Sequence, residues 1–342
     1  MLTFKLNTNC QTFNKNIASA EKSTIFRSHK SYKNTLATIR KTKKMKKNIA
    51  IIIALISSIQ FFGQDFRTEF LESIETNDTL KQIEILKKWE STSPNDPELF
   101  VSYYNYHLIK GKKEVISLST KEPNGEAFVL KDSMNKTAGY FGSEIYFDKS
   151  EIQKGIDKID IGIKSFPNRL DMRFGKIYTL GQIEDWDKFT NEIIMTVEYS
   201  TTNNNHWTWA NNEVVADSEN FFLTGLQDYQ IQLFNTEKDP LLVNMRNIAN
   251  SILKIYPNHI PSLSNISITY LLNGEFDKAI ETLLKAEKID EKDYIILANI
   301  AHGYKLKGEN KNAIAYYEKV IKYGDEETKE FARNQINDLK KE

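Results

Sequence analysis

Two stretches of this chain copy one another at an offset of 34 residues, and that offset restricts the fold more than any other feature. The first runs from Ile260 to Asp293 (IPSLSNISITYLLNGEFDKAIETLLKAEKIDEKD). The second runs from Tyr294 to Asp325 (YIILANIAHGYKLKGENKNAIAYYEKVIKYGD). Leu263 falls on Leu297, Ile266 on Ile300, Tyr270 on Tyr304, and Gly274-Glu275 on Gly308-Glu309. Ala279-Ile280 falls on Ala313-Ile314, Leu283 on Tyr317 and Ala286 on Val320. A fixed period of this size marks one supersecondary unit that cannot bury its apolar face alone and must stack on neighbours.

Each unit reads as two short amphipathic helices around a turn. Leu263, Ile266, Tyr270 and Leu271 recur at helical spacing, as do Ala279, Leu283 and Ala286. The glycine ends the first helix, where a residue without a Cβ adopts the left-handed cap cheaply. Ala279 and Ala313 are expected to be small because two helices approach closely there.

These residues resemble the tetratricopeptide repeat. Its first helix carries a large apolar residue, a small residue (here Ser267 and Ala301) and a tyrosine; glycine follows, then two alanines in the second helix. Leucine replaces the usual first-helix tryptophan, and Glu291 and Asp325 stand where a proline is expected. The resemblance implies an all-α fold, an α-solenoid of helix-turn-helix repeats whose concave surface holds a peptide or protein. Polar first-helix positions that could line that groove are Asn265, Thr269, Asn299 and Lys305.

Weaker copies extend the array toward the N-terminus. Ser93-Pro94-Asn95, Phe166-Pro167-Asn168 and Tyr256-Pro257-Asn258 each follow one apolar-periodic segment (80–90, 152–165, 241–255) and precede another (99–109, 170–180, 262–272). Proline cannot continue a helix, and it biases the residue before it toward extended backbone. Further helices are expected over 186–199 and 214–234. The polar stretch 326–342 suits a capping helix, with Phe331, Ile336 and Leu339 turned inward.

Residues 112–149 break the pattern. Val115, Ile116 and Leu118 precede Pro123-Asn124-Gly125-Glu126 and then Ala127–Leu130, and Asn-Gly between β-prone runs signals a hairpin. A small β-hairpin insertion is expected, serving either as a binding feature or as a cover over apolar helix surface.

The formal net charge of zero conceals a division. Residues 1–64 hold 12 basic side chains and one acid, Glu21, which leaves 34 basic and 45 acidic residues beyond them, a net of −11. Nucleic acid and anionic lipid are therefore poor partners for the folded part. Lys46-Lys47 lead into the apolar run Asn48–Phe62, the pattern of a secretory signal peptide over 45–64 with cleavage near Gly63 or Gln64. Met45 then reads as the natural start, and 1–44 as a disordered upstream extension; an uncleaved anchor or a transit peptide are the competing readings. The sole cysteine, Cys10, lies in that extension, so the exported product has neither disulfide nor thiolate site, nor a cysteine for lipid attachment.

No phosphate-binding loop, nucleophile elbow or zinc-spaced histidine pair occurs in the sequence, and no enzyme, cofactor or metal is expected. His107, His206, His259 and His302 stand alone. Trp207 and Trp209, in the Asn-rich stretch 201–212, could grip a peptide or stack on a sugar, or they plug the gap between helix pairs. Tyr103, Tyr104, Tyr106 and His107 point around their helix, so some belong to the core. Glu184-Asp185 and Glu326-Glu327 suit helix starts. Asp78-Thr79-Leu80 and Asp132-Ser133-Met134 resemble acceptors for O-linked sugars on exported proteins of Bacteroidetes-type bacteria, at a level that chance also produces. The expected function is a non-catalytic interaction protein of the cell envelope, periplasmic or extracellular. The alternative is carbohydrate or nutrient binding through the two tryptophans and the insertion.

Overall fold

The computed structural model describes residues 65–121 and 127–341. The upstream extension, the signal segment and the Asn124-Gly125 turn lie outside the described residues. The fold class is all-α, helix-turn-helix repeats with a small β insertion, and the described chain forms two compact units that meet in sequence at Pro167 and Asn168.

In the first unit, α1 (Phe66–Glu75), α2 (Thr79–Thr92) and α3 (Pro97–Gly111) each start on an aspartate. Asp65, Asp78 and Asp96 accept backbone N–H groups of Thr68, Lys81 and Glu98, satisfying donors that a helix start leaves open. Phe66 and Phe70 of α1, a helix that the repeat pattern did not announce, join Ile85, Leu86, Trp89, Leu99, Tyr103 and Tyr106 in one core. All three tyrosines of 103–106 are buried. Tyr103 donates to Glu90 at 2.7 Å, a contact that with burial drives its phenol well above the ordinary range.

Helix α4 (Lys149–Ser165) closes this unit against α3. Gly155 makes the contact possible, because a Cβ there would lie 3.2 Å from the Tyr104 carbonyl oxygen. Glu151 of α4 collects His107 Nδ1, Lys110 Nζ and Lys154 Nζ, each at 2.9 Å. Although burial opposes the charged form, those donors hold its carboxyl down at about 2.

Between α3 and α4 stands the insertion, closed at its neck by the Asp148 N–H donating to the Gly111 carbonyl at 2.8 Å. Its strands are β1 (Lys112–Ser119), β2 (Ala127–Lys131) and β3 (Thr137–Phe147), in the order β1-β3-β2 and antiparallel throughout. This corrects the expected pairing of 115–118 with 127–130: both segments pair with β3 instead. The tight turn of the hairpin is Asp132–Lys136, where Asp132 accepts the N–H groups of Met134 and Lys136 and Asn135 takes φ 64°. Nor is the sheet a cover, since residues on both of its faces are exposed.

The second unit stacks helix pairs: α5 (Leu170–Gln182) with α6 (Trp186–Thr202), α7 (Ser218–Phe234) with α8 (Leu242–Ile255), α9 (Ile260–Leu272) with α10 (Phe276–Glu287), and α11 (Tyr294–Leu306) with α12 (Asn310–Tyr323). Gly274 and Gly308 take φ 73° and 80° at the turns of the two matched pairs, as the cap requires. Helix α13 (Glu326–Leu339) packs on α12 as the terminal element of this described stack. Its Ala332, Ile336 and Leu339 are buried with Leu297, Tyr317 and Val320. Phe331 is only half-covered, its ring edge-on to Tyr317 at 6.2 Å. The helix expected over 214–234 starts only at Ser218, because Val214 belongs to a two-strand pairing of β4 (Thr208–Trp209) with β5 (Glu213–Val214).

Ala279 and Ala313 have no exposed surface. Ala279→Trp and Ala313→Trp should each lower stability by about 1–3 kcal/mol or more, because a close-packed core resists added volume. Glu309→Ala should leave the urea midpoint near that of the parent, since Glu309 is solvated beside Lys307 and Asn312. Equal losses in all three variants would mean that the inward faces are misassigned.

His259 starts α9, bonds Ser262 Oγ through Nδ1 at 2.8 Å, and is held down at about 4 by burial. The unfolded chain takes up this proton near pH 6.5 and the folded chain only near pH 4. This group therefore contributes stability in full above about pH 6.5 and loses it as pH falls toward 4. His259→Asn keeps a polar side chain at the helix start and removes the titration. Its urea midpoint should fall less than the parent's between pH 7 and pH 4.5; an identical fall would refute the assignment.

Candidate interaction surface

The first helices of the second unit, α5, α7, α9, α11 and α13, are tied to one another by side chains. Tyr229 Oη of α7 donates to the Phe174 carbonyl of α5 at 2.8 Å. Gln227 of α7 and Asn265 of α9 exchange two amide hydrogen bonds, at 2.7 and 3.3 Å. Asn299 of α11 donates to Ser264 Oγ of α9 at 3.3 Å, and Lys305 donates to Gln335 Oε1 of α13 at 2.7 Å. Polar groups at helix crossings fix register as well as holding charge or dipole, because each would be costly to leave unpaired.

This ladder changes the meaning of the residues picked from sequence. Asn265 and Thr269 are 1% and 0% exposed, and Asn299 is buried as well. Thr269 Oγ1 donates to the Ile266 carbonyl and accepts Arg246 Nε at 3.1 Å. These three are inter-helix fasteners, unable to meet a partner without dismantling the stack. Lys305 remains half-exposed, and of the four it alone presents surface. The sequence treated polarity on a first helix as a sign of solvent, whereas here the polar group faces the next helix. Gln227 and Gln335, which complete the ladder, were missed; their signal is the placement of amide residues on successive first helices.

The tryptophan loop takes the packing reading of the two that the sequence left open. Trp207 is 0% exposed, with Phe222 at 5.3 Å and Tyr199 at 5.8 Å between ring centroids. Trp209 is half-buried, edge-on to Phe221 at 5.3 Å and to Phe174 at 6.3 Å. Both rings pack between helices, and Trp207 has no exposed face to offer a sugar. The surrounding asparagines serve the backbone: Asn204, Asn205, Asn211 and Asn212 all take positive φ, which asparagine tolerates better than most residues. Asn205 accepts from Tyr256 Oη at 2.9 Å and donates to Glu219 at 2.9 Å, while the Thr208 N–H reaches the Asn168 carbonyl at 2.9 Å. Arg169, 1% exposed, anchors the loop's far side by bonding Asp171 twice, at 2.8 and 2.7 Å, and Asn212 at 3.4 Å.

Among the described residues no three histidine, cysteine or acidic side chains cluster as metal ligands would, and no helix is long and apolar enough to cross a membrane. Asp185 and Asp325 cap α6 and α13, which accounts for the acidic pairs around them.

The family model described as tetratricopeptide repeat matches residues 260–293 and 295–323. Among solved structures, the chain is similar to the C-terminal part of a TPR repeat-containing protein from Cytophaga hutchinsonii, with 14% identity, 76% of this chain and 79% of that one covered, and a TM-score of 0.37. A tetratricopeptide repeat protein from Parabacteroides merdae gives 11% identity, coverage of 81% and 92%, and a TM-score of 0.34. A thermophilic TPR protein from Thermus thermophilus gives 14%, 55% and 92%, and 0.34. No curated protein matches the sequence.

The ladder is testable at its doubly bonded rung. Gln227→Ala strands the Asn265 amide and should lower stability by about 1–3 kcal/mol. Replacing both residues by leucine removes the unmet need and should recover most of that loss in urea unfolding. Were the double variant to lose the sum of the two single changes, the two amides would act independently and the rung would not exist.

Proposed function

We propose that residues 260–323, two tetratricopeptide repeats of the kind that mediates protein–protein contact, and the helix pairs stacked on them form a non-catalytic interaction module. In this reading an exported envelope protein, periplasmic or extracellular, holds a peptide or protein segment along the first-helix surface. The observation that carries it is the inter-helix ladder. Rigid side-chain ties between successive first helices pre-organise one continuous surface, and a pre-organised surface loses little freedom when a peptide docks. Gln227, Lys305 and Gln335 are the half-buried members of that ladder and the ones a ligand would meet. The net of −11 beyond residue 64 suits a partner segment that carries basic residues. Export is supported by Lys46-Lys47 before the apolar run, and by Asp65 capping the first described helix at the expected cleavage position.

The experiment begins with protein from its native host, whose N-terminus should lie within a few residues of Gln64. The parent and Lys305→Glu then serve as bait for envelope proteins and, in parallel, for a glycan array. The parent should retain a protein partner, and Lys305→Glu, which deepens the acidic field that a basic segment meets, should retain it several-fold more strongly. Retention of residues 1–44 in the native product would overturn the export reading. Glycan binding without a protein partner would overturn the interaction reading.

A further inference from the structure

We infer that the three-stranded sheet of the insertion is a self-association surface that packs against the same sheet of a second copy of this chain. Directly paired residues of neighbouring strands lie on one face of a sheet. Leu118 pairs with Phe141, and Phe141 with Phe128, so these three form one row across all three strands. Ile116, Leu130 and Ile145 flank that row on the same face by the two-residue alternation of each strand. Ile116, Leu118 and Phe128 are 71%, 71% and 76% exposed, and the remaining three lie between 40% and 56%.

An antiparallel sheet normally spends such a face on a core. This one faces solvent, and its apolar area is comparable with the roughly 300–600 Å² patch that marks a contact site on monomers. A stable docked layer therefore needs only what a second, identical sheet would supply: sheets pack face to face about 10 Å apart through interdigitating side chains. In the central strand Ser143 is the small residue between Phe141 and Ile145 on this face, so the ridges of one copy find a hollow in the other.

Charge selects the same occupant. Residues 112–149 contain six lysines and six acidic residues, while the remainder beyond residue 64 carries the whole net of −11. Two copies repel one another over their helical surfaces and meet without net repulsion at the insertion. An acidic or a basic partner finds no field there to select it. The inference is independent of the first-helix reading above, which concerns the other compact unit.

The test uses the full chain in a Cys10→Ser background, which has no other cysteine. Light scattering after gel filtration should show a concentration-dependent dimer at or below about 100 µM. Leu118→Glu with Phe128→Glu should raise the dissociation constant at least tenfold with an unchanged circular dichroism spectrum. Val115→Glu, on the opposite face, should leave it within a factor of two. Ser143→Cys keeps the test independent of the folding of the charged variant: a short bismaleimide should link two copies through that residue in the otherwise intact sheet. A monomer at every concentration, a dimer indifferent to the face variants, or no cross-link at Ser143 would each overturn the inference. A monomer whose insertion retains a different protein would assign the face to that protein instead.

Discussion

Close approach between helices that cannot cover their own apolar stripes is the constraint on which the rest of this structure depends. A pair such as α9–α10 leaves Leu263, Leu283 and Ala286 without burial until Ile296 and Ile300 of the next pair arrive. The approach is possible only where side chains are small. Ala279 and Ala313 vanish from the surface, and Gly225 stands where a Cβ would lie 2.5 Å from the ring of Phe174. Interiors packed to this density leave no slack, so the positions of small residues set the spacing of the array as firmly as the large ones set its faces.

The same proximity explains the polar ladder. Once α7, α9 and α11 are brought together by apolar burial, any polar group at their crossings is removed from water and must find a partner there. Gln227 and Asn265 satisfy one another's amides, and Lys176 pairs with the nearly buried Glu192 across α5 and α6 at 2.6 Å. Such pairs add little net stability compared with an apolar contact of the same shape. They do penalise slippage, because one residue of shift leaves several of them unmet.

What could be read from sequence followed from this physics, and so did what could not. The repeat period, the turn glycines and the buried alanines are local or pairwise signals, and they announced two helix pairs within 260–325, where α9 to α12 lie. Helix starts were also written locally, in the aspartates at 65, 78, 96, 148, 185, 293 and 325. Site residues were not. Whether a polar first-helix residue faces solvent or a neighbour depends on the angle between successive pairs, which no short pattern encodes. Asn265, Thr269 and Asn299 were misread for that reason. Trp207 stood between two readings, and the packing one holds: the asparagines around it look like a solvated loop, yet they serve positive-φ backbone that folds the ring inward.

The insertion was only half readable because strand order is a tertiary property. Asn124-Gly125 marks a place where the chain can turn, and β-prone residues flank it, so adjacent pairing was the natural expectation. A third strand, β3, competes for both partners and wins with eleven residues against the eight of β1 and the five of β2. The longest strand in the centre maximises paired backbone groups, since only a central strand bonds on both sides. That arrangement also aligns Leu118, Phe141 and Phe128 across the sheet, which the simple hairpin would not have done. The exposed apolar row is thus a product of topology rather than of composition. It rises from a neck held by the Asp148–Gly111 hydrogen bond and by the three donors around Glu151, a foundation rigid enough to present a fixed face.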